Sequence, residues 1–274
     1  MKSWRAPLLI LLAVVLTAAL PLLIRGCMRV HALNKFCSHP GVRQRLAVVP
    51  TKRTFAAAPT AGRIDIGYAT FSLGGETPRV ETDNRFPVIT VVASDFHVAF
   101  LPPFNPQKEI KPAFDAAAQD SKRSPAMRKE LALWATGEVA REIRVEETRP
   151  LTLRELFFMP ADEFETYVFR AAEKGTFASC GANEVFSFTS PTAKGVVRIG
   201  SSPSDRHRIQ AMIVSPDNIR GVSVIFNVEN PPPTGLPPAV ESLLASFAFT
   251  VDRIEGDEQI KKLILGKGIP AAAE

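Results

Sequence analysis

Asp95 and His97 are the two residues whose types and spacing come nearest to a catalytic pair. They lie two positions apart in a run, residues 88–101, that is rich in β-branched residues and phenylalanine. Side chains two apart on a strand project from one face, about 6.5–7 Å apart at the backbone. A carboxylate beside an imidazole can orient it as a general base if a nucleophile lies close by. The polar, solvated side of a half-buried strand gives the same pattern, so Asp95 and His97 are catalytic candidates only for the alternative, enzymatic interpretation.

Four side chains that can bind zinc lie close together near the N-terminus, namely Cys27, His31, Cys37 and His39. Cysteine and histidine are the usual protein ligands of zinc. The order C-x3-H-x5-C-x-H matches none of the common spacings of zinc sites. We therefore expect no metal here, and we interpret these residues as incidental members of a linker.

The chain has 3 cysteines, and this sparse use does not indicate a disulfide-stabilised scaffold. Two interpretations of Cys180 stay open. It pairs with Cys37 in an oxidising compartment, or it is a buried free thiol, which behaves as a small apolar side chain.

Intact catalytic and cofactor motifs are missing from the sequence. It contains no G-x-G-x-x-G, no G-x-x-x-x-G-K-[ST], no H-E-x-x-H and no G-x-S-x-G. We therefore expect no cofactor and a non-catalytic protein. A hydrolase-type enzyme that uses Asp95 and His97 is the alternative.

Residues 6–24 form an uncharged and mostly apolar run. As a helix it is about 28 Å long, close to the thickness of the bilayer hydrocarbon. The run is longer than the apolar region of a typical secretory signal, and Arg25 beside Cys27 argues against lipidation of that cysteine. The sequence therefore predicts an uncleaved, single-pass membrane anchor, with the lipid bilayer as its partner.

The side of the membrane on which the body lies depends on how the basic residues are weighed. Lys2 and Arg5 before the apolar run resemble the start of a bacterial export signal, and a large following domain translocates largely regardless of its charge. We therefore expect an extracytoplasmic body with an envelope protein as a further partner. The basic segment 26–60 supports the alternative, a cytoplasm-facing adaptor at the membrane surface.

The net charge of +5 does not indicate nucleic-acid binding. Lys2, Arg5 and Arg25 flank the apolar run, so residues 26–274 carry 30 basic and 28 acidic side chains, a net charge of +2. Nucleic-acid binding needs clustered lysine and arginine that neutralise several phosphates. We therefore exclude DNA and RNA as partners.

Hydrophobic periodicity predicts alternating strand and helix regions. Residues 63–73 indicate one strand with a bulge near Ala69, and Ser124 is the predicted N-cap of a helix that continues to Ile143. Thr152 and Glu155 form a capping-box pattern. Four apolar runs then predict an antiparallel meander, over 177–188, 196–200, 209–214 and 221–228. A short helix after Pro238, a short strand and an amphipathic tail follow.

These elements predict an α+β fold, an antiparallel sheet with helices packed on one face, preceded by one N-terminal transmembrane helix. The predicted organisation is a membrane anchor or signal segment over residues 1–25, a basic juxtamembrane stalk over 26–60, a globular domain over 61–252 and a tail over 253–274.

The order of elements over about residues 60–252 resembles the PsbP-like superfamily of small exported α+β domains. The resemblance rests on an early strand over residues 67–73, a helical middle, a meander and a closing helix that ends in Leu-Leu-Ala-Ser-Phe at 243–247. It implies an antiparallel sheet covered by helices and a tethered accessory role without catalysis. Residues 124–174 form a longer helical insert than compact members have. We expect a membrane-anchored extracytoplasmic domain with a non-catalytic binding or accessory role in the bacterial cell envelope.

Overall fold

The computed structural model describes residues 5–36, 40–56, 62–74, 78–82, 88–176, 182–201, 207–230, 232 and 235–269. The helices in this part of the chain are α1 (Arg5–Phe36), α2 (Pro40–Ala47), α3 (Pro106–Glu109), α4 (Lys111–Gln119), α5 (Pro125–Trp134), α6 (Glu138–Glu146), α7 (Leu153–Phe158), α8 (Ala161–Thr176), α9 (Pro238–Ser246) and α10 (Asp257–Gly266). The strands are β1 (Thr51–Thr54), β2 (Arg63–Asp65), β3 (Ala69–Ser72), β4 (Arg79–Thr82), β5 (Ile89–Val92), β6 (Phe96–Phe100), β7 (Ala182–Thr189), β8 (Lys194–Ser201), β9 (His207–Val214), β10 (Gly221–Val228) and β11 (Ala248–Phe249).

A large sheet organises the fold, in the strand order β1-β7-β8-β9-β10-β6-β5-β4. Strands β7 to β10 pair in sequence as an antiparallel meander, which confirms the prediction from the four apolar runs. The strands of this meander have eight residues each, and their turns are built from serine, proline, aspartate and asparagine. Local pairing of this kind follows from alternating sequence patterns and short connections.

One face of the large sheet carries the main hydrophobic core. Side chains alternate along each strand, so Val222, Val224, Phe226 and Val228 of β10 all project to this face and are buried. A small sheet, in the order β11-β3-β2, covers them together with α9 and α10. The rings of Phe71, Phe100 and Phe247 stack at the centre.

The opposite face of the large sheet is covered by a layer that contains α5, α6 and α8. Helix α6 packs on β8 and β9, where Val139 and Ile143 meet Val185, Val196 and Val214. Helix α2 packs on α8 through Leu46, Tyr167 and Ala171. Thr152 and Glu155 start α7 with both reciprocal bonds of the capping box, which confirms that prediction.

The predicted single strand over residues 63–73 is instead a hairpin of β2 and β3. Gly67 at the turn has φ +94, a left-handed conformation that glycine adopts without steric cost. A Cβ atom at this position would also lie 2.8 Å from the backbone of Leu263 in α10. Asp65 accepts the Gly67 backbone N–H at 2.8 Å, which closes the turn. The apparent slip of register near Ala69 therefore marks a change of direction, not a bulge.

The predicted helix from Ser124 to Ile143 is divided into two. Ser124 does cap α5, through a bond from the Met127 backbone N–H. The helix ends at Ala135, and α6 starts after Gly137. Glycine lowers helix stability relative to alanine, so a packed structure can break a helix at this position at small cost.

Two parts of the predicted sheet arrangement are wrong. The sheet is mixed, because β1 pairs in parallel with β7. Helices cover both faces of the large sheet, because α9 and α10 lie over one face and α6 over the other. Strand β1 lies in the segment 26–60, which we predicted to be a juxtamembrane stalk. No local sequence pattern indicates that it pairs with β7, which is far along the chain.

The prediction of an N-terminal transmembrane helix is also wrong. Among the described residues, the structure contains no helix that is long and apolar enough to cross a bilayer. The apolar run does not end as a separate span, because α1 continues through Arg25, Arg29 and Lys35 to Phe36. Two of these basic side chains, Arg25 and Arg29, bond to the backbone of the globular domain.

Replacement of Phe247 tests the aromatic centre of the core. Phe247 is fully buried and stacks on two other phenylalanine rings, so Phe247→Ala should lower the free energy of unfolding by about 3–5 kcal/mol. Chemical denaturation followed by circular dichroism measures the change. The matched control is Phe158→Ala, because Phe158 is 68% exposed and its loss should cost about 0.5 kcal/mol or less. Equal effects of the two variants would contradict the assignment of the core.

Candidate functional site

Asp95 and His97 lie in different elements, a turn and a strand. Asp95 lies in the turn before β6, is exposed, and its backbone carbonyl accepts the Glu229 N–H at 3.0 Å. His97 is exposed on β6, opposite Val92 and Asn227. Only His97 is on the strand, so the alternation of a strand does not bring its side chain beside that of Asp95.

The four side chains near the N-terminus that can bind zinc, for which no metal was expected, are only partly within the described residues. Cys27 and His31 are exposed on α1, and Cys27 is a free thiol. Cys37 and His39 lie outside the described residues, as does Cys180, so both interpretations of Cys180, the bridge to Cys37 and the buried free thiol, do too. Within the described ranges, no group of three or more His, Cys, Asp or Glu side chains is arranged to hold a metal ion.

Several large apolar side chains on α1 and α7 are exposed, and we call them the apolar patch. Globular proteins expose single apolar side chains often but contiguous groups of them rarely, and such groups mark interaction sites. Met28 is 68% exposed on α1, and Leu153 is 70% exposed on α7. The patch consists of Leu20, Leu22, Leu23, Ile24, Met28, Leu153 and Phe158.

Two arginines of α1 fix this helix on the globular domain. Arg29 is buried and donates to the carbonyl oxygens of Leu156 at 2.9 Å and Met159 at 2.7 Å, and Arg25 donates to the Met159 oxygen at 3.1 Å. These carbonyls belong to the last turn of α7, where the helix itself provides no donor. The Arg29 guanidinium also lies 4.5 Å from the ring centroid of Phe164 in α8. The C-terminal half of α1 is therefore part of the folded body.

The two helices of the patch approach each other closely and run in opposite directions. A Cβ atom at Gly26 would lie 2.1 Å from the Phe157 ring, so any other residue at this position would require the ring to move. Val30 and Leu33 share a groove with Leu153, near the start of α7, whereas Arg25 meets the end of α7. Phe158 therefore lies at the same end of the helix pair as residues 20–24 of α1.

A shallow apolar groove of about 640 Å³ lies between α1 and α8. Leu20, Ile24, Met28 and Ala32 line it from α1, and Phe164 lines it from α8. The groove continues the apolar patch toward the body of the protein. The sequence indicated the α1 residues through the apolar run, but it gave no sign that Leu153 and Phe158 would be exposed, because apolar residues in a short helix are usually buried.

A second notable feature is a network of buried ion pairs between α6 and the sheet. Arg198 projects from β8, donates to Glu142, and donates through Nε to Glu146 at 2.6 Å. All three side chains are at least nine-tenths buried. Burial alone would raise the pKa of Glu142, but the charges of Arg198 and Arg141 hold it below its usual value. Glu142 is therefore a carboxylate, and it needs its arginine partners to remain charged in the protein interior.

The same network extends to the segment between α1 and β1. Arg45 of α2 is buried and forms an ion pair with Glu146. Lys174 of α8 donates from Nζ to the carbonyl oxygens of Val48 at 2.7 Å, Glu146 at 2.6 Å and Thr148 at 2.9 Å. Burial lowers the pKa of Lys174 to about 8. Residues 40–48 are thus attached to α6 and α8 by buried charged groups.

Glu138 is a carboxylic acid of the network whose two oxygens are paired unequally. It lies 2.7 Å from Arg141 through Oε1, while its buried Oε2 has no hydrogen-bond partner. Burial, only partly offset by the charge of Arg141, raises the pKa of Glu138 to about 7, and the neighbouring carboxylate of Glu142 adds to the increase. Each charged group of the network has at least one ion-pair or hydrogen-bond partner on a neighbouring residue or element, so the network holds α2, α6, α8 and β8 together.

Comparisons with models of protein families, with curated protein sequences and with solved structures find no match to this chain. The resemblance to PsbP-like domains therefore stays a prediction, and the function has to be inferred from the surface itself.

The stability of the protein should depend on pH through Glu138. Between pH 4.5 and about 7 the unfolded chain has lost a proton that the folded chain keeps, so the free energy of unfolding should fall as the pH rises through this range. Glu138→Gln should reduce this slope, because the amide cannot titrate. Urea denaturation at several pH values measures it. The control is Glu165→Gln, at an exposed position of α8, and an unchanged slope in Glu138→Gln would contradict the assignment.

Proposed function

We propose that this protein is a non-catalytic binding domain that attaches to the surface of an anionic lipid bilayer through the apolar patch of α1 and α7. The observation that carries the proposal is the exposure of seven large apolar side chains on two adjacent helices. Burial of a leucine or phenylalanine side chain from water is worth about 1.5–3 kcal/mol, so a few of them suffice for reversible attachment.

The charge of the N-terminal part favours a lipid surface over an apolar protein partner. The first acidic residue of the chain is Asp65, whereas basic residues occur on both sides of the uncharged run 6–24 in the segment before it. Those in the described part of that segment are Arg5, Arg25, Arg29, Lys35, Arg43, Arg45, Lys52, Arg53 and Arg63. Basic residues near an apolar surface are attracted to anionic headgroups by about 1 kcal/mol each. Arg29 and Arg45 in this set are buried, and the one acidic side chain of α7, Glu155, is paired with Arg149. The exposed basic residues of the segment, which include Lys35 and Arg43, therefore favour an anionic partner.

The geometry gives no comparable support to an enzyme. Asp95 and His97 are both exposed, and Asp95 lies in a turn rather than on the strand that carries His97. The buried carboxylates of α6 are engaged by arginines. We therefore propose an accessory role in which the globular domain binds or positions another component of the cell envelope.

Vesicle flotation of the full-length chain tests the patch. We expect binding to vesicles that contain an anionic lipid and weaker binding to purely zwitterionic vesicles. Leu153→Glu/Phe158→Glu and Leu23→Glu/Ile24→Glu should each lower the partition coefficient by about tenfold or more, because each removes two apolar contacts and adds repulsion from the headgroups. The matched control is Leu265→Glu, because Leu265 is equally exposed but lies on α10.

Two results would contradict the proposal. Absence of binding to any vesicle would exclude a lipid surface as the partner. Full binding by the α7 variant, with loss only in the α1 variant, would show that α1 acts alone and that the patch is not a joint surface.

We further propose that the globular domain lies on the extracytoplasmic side, with an envelope protein as its partner. The basic residues Lys2 and Arg5 before an apolar run, as in export signals, support this side. Fusion of alkaline phosphatase and of green fluorescent protein to the C-terminus of the full-length chain provides the test. Phosphatase activity is the expected result, and fluorescence without phosphatase activity would place the domain in the cytoplasm.

A further inference from the structure

A second cleft, of about 330 Å³, opens between α5, α6 and α8 and is lined largely by charged side chains. Lys129 and Glu130 reach it from α5, Arg144 from α6, and Glu163 and Arg170 from α8. It is separate from the buried network around Arg198, since Glu142 and Glu146 do not line it. We propose that this cleft binds a phosphate monoester.

Glu130 organises the floor of the cleft. It is buried and accepts two bonds from Arg144, Nε at 3.0 Å and Nη2 at 2.6 Å, together with the Trp134 indole N–H at 2.9 Å. Burial alone would raise the pKa of Glu130, but the bonds from Arg144 and Trp134 and the charge of Arg170 hold it below its usual value. Glu130 is therefore a carboxylate that fixes one arginine with a two-bond fork.

Arg170 is the cation that this arrangement leaves incompletely paired. Its Nε lies 3.8 Å from the nearest Glu130 oxygen, beyond hydrogen-bond distance, and is buried without any hydrogen-bond partner. The side chain is 27% exposed, so its guanidinium is accessible from the cleft. Glu130 therefore compensates the Arg170 charge only in part, and an anion in the cleft that Arg170 lines would complete the pairing.

The chemistry of the lining favours an oxyanion with several acceptor oxygens. Three cations, Lys129, Arg144 and Arg170, face two carboxylates, Glu130 and the exposed Glu163, so the lining has a net positive charge. Guanidinium groups match the geometry of phosphate oxygens, and the exposed ammonium of Lys129 adds a mobile charge at the rim. A phosphate monoester carries more negative charge than a diester near neutral pH, which favours the monoester in a site with several cations.

The position of the cleft relates it to the apolar patch. Met159 lines the cleft, and its backbone oxygen is the atom that accepts the bonds from Arg25 and Arg29 of α1. Helix α8 presents Phe164 to the apolar groove and Arg170 to the cleft. The phosphate can belong to a lipid headgroup or to a free phosphate compound. Only the lipid source rests on the proposed function.

Titration calorimetry of the full-length chain with inorganic phosphate tests the site independently of any lipid. We expect saturable binding that Arg170→Gln weakens by about tenfold or more, with a smaller loss in Lys129→Gln. Lys129 is exposed, so its replacement tests the site even if Arg170→Gln disturbs folding. The control is Arg79→Gln, because Arg79 is an exposed arginine at the far edge of the sheet. Absence of saturable binding, or equal binding by Arg170→Gln and the control, would overturn the proposal.

Vesicle flotation distinguishes the two sources of phosphate. The two vesicle types contain equal mole fractions of phosphatidic acid, a monoester, or of phosphatidylglycerol, a diester. A preference for phosphatidic acid that Arg170→Gln removes identifies a lipid headgroup as the ligand, and equal binding to both, with phosphate binding retained in calorimetry, identifies a free phosphate compound. Absence of binding to any vesicle with phosphate binding retained would overturn the proposed lipid attachment and not the cleft.

Discussion

The fold depends on the pairing of Arg198, a charged side chain that β8 places in the interior. Neighbouring positions of β8 are apolar on both faces of the sheet, so Arg198 has no access to bulk water. Removal of its partners would leave an unpaired buried charge, at a cost of about 3–5 kcal/mol. Glu142 and Glu146 of α6 must therefore lie over β8. This requirement fixes the position of α6 on the sheet more specifically than apolar contacts alone would. Contacts between valine side chains tolerate small shifts of the helix, whereas a guanidinium between two carboxylates does not.

The same constraint determines where the N-terminal segment lies. Glu146 pairs with Arg45 as well as with Arg198, so α2 is held at the C-terminal end of α6. Lys174 adds a bond to the Val48 carbonyl just before β1, and β1 then enters the sheet beside β7. Helix α1 is held separately, by the bonds from Arg25 and Arg29 to the backbone at the end of α7. The N-terminal part of the chain is therefore attached to the globular domain at two places, by buried ion pairs at α2 and by arginine-to-carbonyl bonds at α1.

The sequence predicted the elements whose signals are local. The meander β7 to β10 and the capping box of α7 follow from alternation, turn residues and a four-residue motif. The hairpin at Gly67 was not predicted, because an alternating pattern on both sides of a glycine is also typical of one bulged strand. The parallel pairing of β1 with β7 joins segments far apart in the chain, and no local pattern specifies such a pairing. The extension of α1 beyond the apolar run was missed because the basic residues that follow it suggested a solvated stalk, whereas Arg25 and Arg29 bond to α7.

The charge network between α6 and β8 was not predicted from the sequence either. Its residues nevertheless form two recognisable sequence patterns. Helix α6 buries Glu138, Val139, Glu142, Val145 and Glu146, which is the regular spacing of a helix face that docks on a core. Val139, Ile143 and Val145 are the large apolar residues of this helix, and from them alone the glutamates are expected to be solvated. An arginine inside an apolar strand, however, requires carboxylates that can reach it, and glutamates four residues apart on a helix present them on one face. One pattern is Arg198 in an apolar strand, and the other is the series Glu138, Glu142 and Glu146 on a helix. Together the two patterns predict that the helix covers the strand, whereas neither predicts this alone.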